Sequence, residues 1–99
     1  METNNEFVAN TAVHPGNILK LELQEREIKQ KDFAEKLGIP ASNLNEYIKG
    51  KRGFSAEFSL KLEDLLGIPA SNWMNLQKNY ELIVARKRRL DLLNRASIL

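Results

Sequence analysis

"QKDFAEKLGIPASNLNEYIK", Gln30 to Lys49, decides the fold. Its first half sets Phe33, Ala34 and Leu37 on one side of a helix from about Gln30 to Leu37. Gly38 ends that helix, because glycine enters the left-handed conformation without a steric penalty. A second helix follows at once, from Pro40 or Ala41 to about Lys49, with Leu44, Tyr47 and Ile48 inward. Two short helices joined by a tight glycine turn form a helix-turn-helix unit. Ala34 is small where the second helix must cross the first closely. Leu44 and Tyr47 bury the second helix against Phe33 and Leu37. Ser42, Asn43, Asn45 and Glu46 are left on its outer face. In such a unit that face enters the major groove of DNA and reads base edges. Lys49, Lys51 and Arg52 follow directly, placed to meet phosphate. An ordinary helical corner that binds no nucleic acid has the same spacing. The Ser/Asn face and the basic exit argue against it, because a plain solvent face carries a Glu/Lys mix.

Outward from this unit the helix signals recur, while period-two alternation is absent and Val and Thr are sparse. Upstream, a helix starts near His14-Pro15-Gly16, proline suiting a first helical position where its missing N–H was unpaired anyway. Ile18, Leu19 and Leu23 face one side of it, and Glu22, Glu25 and Arg26 the other. Downstream, Gly50 stops the second helix of the unit. Ser55 is a good N-cap for a fourth helix, with Glu57 in its positive first turn. Phe58, Leu62, Leu65 and Leu66 form its apolar stripe, and Gly67 closes it. A fifth helix starts near Pro69 or Ala70 with Trp73, Leu76, Tyr80 and Ile83 on one stripe. Lys87 interrupts that stripe, and Leu90 and Leu93 resume it. The pattern is long for so small a domain: either the helix bends near Arg86 or its far half packs on something outside. The expected fold is an all-α, five-helix bundle with an extended C-terminal helix. It divides into a flexible segment 1–13, a helix-turn-helix domain 14–85 and a basic, apolar extension 86–99.

"LGIPASN" occurs twice, at Leu37–Asn43 and Leu66–Asn72. Each copy combines a glycine stop, an isoleucine plug and a proline pre-set for a first turn. Repeat architecture needs at least three units, so this is one corner used twice. The contexts differ: Ala34 precedes the first glycine by four residues, and Glu63 precedes the second. Ser42 and Asn43 are expected to face a groove, whereas Ser71 and Asn72 only start a helix.

The totals narrow the class. A chain of 99 residues supports one small domain. The absence of cysteine removes disulfides, thiolate metal sites and a cysteine nucleophile, and fits a reducing cytoplasm. One histidine, with no second one to join it, makes a metal or acid–base site unexpected. Gly50-Lys51-Arg52-Gly53 lacks the pattern of a phosphate-binding loop, so neither an enzyme nor a cofactor is expected. The N-terminus does not read as a signal peptide, and no run approaches a membrane span. Net charge is +2, but residues 40–52 carry +2 and residues 86–99 carry +4. Two basic segments on a near-neutral body favour a polyanionic partner more than the total does.

Gln30-x3-Ala34-x3-Gly38-x5-Leu44 followed by Gly50-Lys51-Arg52 resembles the XRE-type, lambda-repressor-like helix-turn-helix family. The flanks "HPGNIL", "GKRGFSAEFSLKLEDLLG" and "WMNLQKNYEL" resemble its HigA antitoxin branch. Together these cover about residues 14 to 85. The resemblance implies a homodimer that binds a palindromic double-stranded operator and represses its own operon. It also implies a protein partner, a small mRNA-cutting toxin of HigB type. By position, Gln30 would anchor the start of the second helix to phosphate, joined by Lys29. Ser42, Asn43, Asn45 and Glu46 would face bases, and Lys49, Lys51 and Arg52 the backbone. Trp73 and Tyr80 would be core that reaches the dimer contact. Beyond the resemblance, the segment 86–95 reads as a solvated helix end, a second phosphate contact or a dimer or toxin-binding arm. Leu90 and Leu93, apolar beyond what a free tail needs, favour the arm.

The chain departs from the family at three points. Lys29 stands where the family often has a serine cap. Ala41 and Glu46 stand where the recognition helix usually carries arginine, so no bidentate guanine contact comes from them. A modest, A·T-leaning operator, or weak DNA binding by the protein alone, is therefore expected. A stand-alone repressor without a toxin shares these features. So does a module that has kept the fold for protein contact and lost DNA. Glu46 and the absent arginines are the best support for that last reading.

Overall fold

The computed structural model describes residues 13–98. The segment expected to be flexible therefore lies outside the described residues, apart from Val13. Among the described residues five α-helices follow in order: α1 Pro15–Glu25, α2 Gln30–Leu37, α3 Ala41–Ile48, α4 Ala56–Leu66 and α5 Ala70–Ile98.

The punctuation works as its chemistry requires. Gly38, Gly50 and Gly67 all take the left-handed conformation, with φ of 74°, 78° and 74°. The Ser55 hydroxyl accepts the Phe58 N–H at 3.1 Å and starts α4. Lys29 gives α2 no side-chain cap, as its replacement of serine implies. The α1–α2 turn uses no glycine. Glu27 sits there at φ 56°, while Ile28 N–H bonds to Leu23 C=O at 2.8 Å.

The core draws Leu19 and Leu23 from α1, Phe33 from α2, Leu44 from α3, Leu62 from α4 and Trp73 from α5. Rings tie its second half together. Tyr47 stacks on Phe58 at 3.8 Å, and Phe54 meets Tyr47, Phe58 and Trp73 at 5.7, 4.9 and 5.8 Å between centroids. So α3, the loop after it, α4 and α5 share one aromatic cluster. Ala34 is buried, as a close α2–α3 crossing demands. Another close crossing went unread in the sequence. A Cβ on Gly16 would lie 2.1 Å from the Tyr47 carbonyl oxygen and 2.6 Å from that of Ile48. The start of α1 therefore rests on the last turn of α3.

Three expectations are corrected. Leu65 is 38% exposed and does not join Leu62 and Leu66 in the core, because it borders an open groove between α4 and the end of α2. Trp73 is 1% exposed, so it is core and presents no surface to a partner. Leu90 and Leu93 do not resume the buried stripe of α5; they are 59% and 54% exposed. At about 100° per residue, Trp73, Gln77, Tyr80 and Val84 share the face turned to the bundle. That face continues as Lys87, Arg88, Asp91 and Arg95. Leu82 and Leu93 lie roughly opposite, and Leu90 lies nearer to them than to Trp73. The helix remains one element of 29 residues, and each residue from Ala85 to Ala96 is exposed.

Candidate nucleic-acid interface

Ser42, Glu46 and Lys49 run along the centre of the outward face of α3, since they recur at one helical turn. Ser42 and Lys49 are exposed; Asn43, Asn45 and Glu46 are half-buried on and beside that line. Asn45 is on the flank next to α1 and α2. There an open groove is lined by Asn17 and Lys20 of α1, Gln30 of α2, Asn45 of α3, and Lys49 and Lys51 just beyond it. The fold thus brings Gln30 to the same groove as Asn45, Lys49 and Lys51. Lys29 is exposed beside it at the N-cap of α2.

The acid on this face is held by the arginine that follows it. Arg52 donates to one Glu46 carboxylate oxygen from Nη2 at 2.8 Å and from Nε at 3.2 Å. Its guanidinium also lies 5.6 Å from the centre of the Tyr47 ring. The backbone makes the pairing possible. Lys51 and Arg52 N–H groups both donate to the Glu46 carbonyl, at 2.9 and 3.3 Å, folding the exit turn back over the helix end. Glu46 hydrogen bonding, then its charge, raises the Arg52 pKa further above its ordinary value. The sequence reading gave Glu46 to bases and Arg52 to the backbone as independent groups. The structure makes them one unit, in which the carboxylate that would repel phosphate is neutralised.

Sequence reasoning missed three residues near this surface. Asn17 and Lys20 share a helical face with Gln24, opposite Leu19 and Leu23, so their exposure was readable. That the groove beside α3 lies along this face was not. Gln77 sits on the buried side of α5, where its Oε1 accepts the Phe54 N–H at 2.8 Å and its Nε2 donates to Glu81 at 2.7 Å. It fastens the loop after Arg52 to α5.

The two "LGIPASN" corners have nearly the same backbone. Pro40 and Pro69 each accept from the asparagine three residues on, at 3.0 Å. Exposure does not distinguish them, since Ser71 and Asn72 are as open as Ser42. Chemistry does: a Glu63 carboxylate oxygen accepts the Ala70 N–H at 2.7 Å, giving the second corner an acid where the first leads to lysines.

A general helix-turn-helix family model matches residues 19–73. Virulence-associated protein I of Dichelobacter nodosus is 34% identical over 77 residues, spanning 77% of this chain and 71% of its own. The Pseudomonas aeruginosa antitoxin HigA, solved with the higBA promoter, is 32% identical with a TM-score of 0.77, covering 84% of this chain and 91% of its own. The chain belongs to the HigA-type branch of the XRE helix-turn-helix family. A structure described as a putative antidote protein of a plasmid maintenance system, from Nostoc punctiforme, superposes with a TM-score of 0.83 at 28% identity. It covers 88% of this chain and 96% of its own.

In this HigA-type chain the flanking signature is structural. The His14 ring lies against Gly50, where a Cβ would meet it at 2.9 Å, and packs edge-on to Tyr80 at 5.8 Å between centroids. His14 Nδ1 is buried with no hydrogen-bond partner among the described residues. It lines a cavity of about 20 Å³, room for a single water. Tyr80 is thus engaged within its own chain, and the apolar side chains that α5 offers outward are Leu82, Leu90, Leu92 and Leu93.

Proposed function

We propose that this chain is a DNA-binding antitoxin that represses its own operon as a homodimer and neutralises a small mRNA-cutting toxin. The observation that carries the DNA part is the outward face of α3. Ser42, Asn43 and Asn45 offer hydrogen bonds to base edges, and Lys49 and Lys51 stand at its exit. Its Pseudomonas relative, solved with a promoter, supports the DNA-binding reading. The Glu46–Arg52 pair removes the main objection to DNA, since no bare carboxylate meets the phosphates. Lys29 and Gln30 take the phosphates nearest the start of α2, and Lys49 and Lys51 those at the end of α3. The dimer and toxin contacts are assigned to the arm of α5 beyond Val84, whose leucines face away from its own bundle. The reading requires no catalytic group or cofactor and places the protein in the cytoplasm, with its operator. No described helix is long and apolar enough to cross a membrane.

The test is fluorescence anisotropy with the duplex upstream of the gene, titrated at several salt concentrations. Binding that weakens steeply with salt is expected, from counterion release. A chain that binds no duplex at low salt is a protein-interaction module instead. Selection from random duplexes is expected to return A·T pairs at the positions facing Asn43 and Asn45. A G·C-rich consensus there sinks that assignment. Co-purification with the product of the adjacent reading frame separates an antitoxin from a stand-alone repressor.

A further inference from the structure

The groove beside α3 has a wall that helix-turn-helix spacing does not account for. Asn17 and Lys20 come from α1, outside the two-helix unit, yet they line the same groove as Gln30, Asn45, Lys49 and Lys51. None of its lining residues is acidic, although the chain carries 13 Asp and Glu. Among the described residues the ion pairs are Arg26 with Glu22 and Arg52 with Glu46. Lys20, Lys49 and Lys51 belong to neither. Three ammonium groups therefore border one groove without an ion-pair partner among the described residues. Such a lining favours an anion, and the amides of Asn17 and Gln30 can donate to its oxygens.

We infer that this groove holds the phosphodiester backbone of duplex DNA, with Lys20 and Asn17 as α1 contacts to a phosphate. The inference rests on the DNA-binding reading and extends it. The footprint is then wider than α2 and α3 alone provide. Contacts of this kind fix register and add affinity without reading sequence. Lys20 therefore strengthens binding to any duplex, while Asn45, across the groove, carries discrimination.

The experiment compares the full-length chain with Lys20→Gln, Lys20→Arg and Lys78→Gln, the last an exposed lysine outside the groove. Anisotropy with operator and scrambled duplexes gives log K against log salt for each. Lys20→Gln is expected to flatten the slope by about 0.9 for each phosphate that is no longer neutralised. It should weaken operator and scrambled duplex by the same factor, and Lys20→Arg should restore the slope. Lys78→Gln should keep the original slope. Circular dichroism melts show that each variant folds. If the unaltered chain binds no duplex, the DNA reading itself fails. If it binds and Lys20→Gln keeps the full slope, the α1 contact is overturned and the DNA reading stands. An equal loss with Lys78→Gln also overturns it, because net charge would then be sufficient.

Discussion

Gly16→Ala separates tertiary geometry from local propensity, because the two predict opposite signs. In an isolated helix the change stabilises by up to ~1 kcal/mol, since alanine is the better helix former. In this fold the new Cβ would lie 2.1 Å from the Tyr47 carbonyl oxygen, 2.6 Å from that of Ile48 and 2.8 Å from His14 Nδ1. An ordinary C···O contact is about 3.3–3.6 Å, so α1 must lift from α3 by more than about 1 Å. The two nearest obstacles are backbone atoms of the last turn of α3, with no rotamer to absorb the push. Overpacking of this kind costs about 1–3 kcal/mol, and a backbone clash belongs at the upper end. The net expectation is a loss of about 2 kcal/mol, a fall in Tm of roughly 8–16 °C for a domain of this size. A thermal melt followed at 222 nm measures it. DNA affinity should fall as well, because the crossing that opens is the one that seats α3, which carries the recognition face. Gly38→Ala is the comparison. Nothing lies within 4 Å of its new Cβ. It therefore pays only the left-handed penalty of about 1–2 kcal/mol, with no reason to move α3. A Gly16→Ala protein as stable as the original, or more so, refutes the close-crossing argument.

Gln77→Ala should leave the buried Phe54 N–H without an acceptor, at about 1–3 kcal/mol. Tm should drop by roughly 4–24 °C; an unchanged melt would mean the loop is held by its rings alone. Arg52→Ala should weaken operator binding by roughly tenfold, and more than Lys51→Ala does, because it bares Glu46 as well as removing a cation. Adding Glu46→Ala should recover part of the loss, and equal affinities for the single and double variants would refute the pairing. Deleting residues 87–99 should lower the oligomeric state in sedimentation velocity while leaving Tm nearly unchanged. Unchanged sedimentation together with unchanged toxin neutralisation would remove the arm from both contacts.

The helices were legible because their boundaries are chemical. Pro15, Ser55 and the left-handed glycines act on their own neighbours, so local sequence placed α2 from Gln30 to Leu37 where the structure has it. The inward residues of α3 were legible for the same reason, through helical period. What escaped was set by distance in space. Gln77 reaches a residue 23 positions away. The Glu46–Arg52 pair depends on a turn folding back on itself. Lys20 matters only because α1 lies along the groove beside α3. Leu65 was misread because periodicity identifies an apolar face without saying what covers it, and Leu90 and Leu93 because the 100° step, carried along α5 from Trp73, takes them off its face.

The two stripes of α5 also carry a phase. The bundle fixes the first through Trp73, and the continuous helix fixes the second relative to it. Substitutions along the arm leave this relation alone, but one residue inserted between Val84 and Leu90 swings the distal leucines by about 100°. Two inserted residues bring Leu93 round to the side of Trp73 and Gln77, whereas three leave the leucines within about 60° of where they began. Insertions of seven or eleven residues nearly preserve the angle and only lengthen the reach. Variation in the length of this arm should therefore come in whole turns, because a partner seated on it reads rotation before it reads sequence.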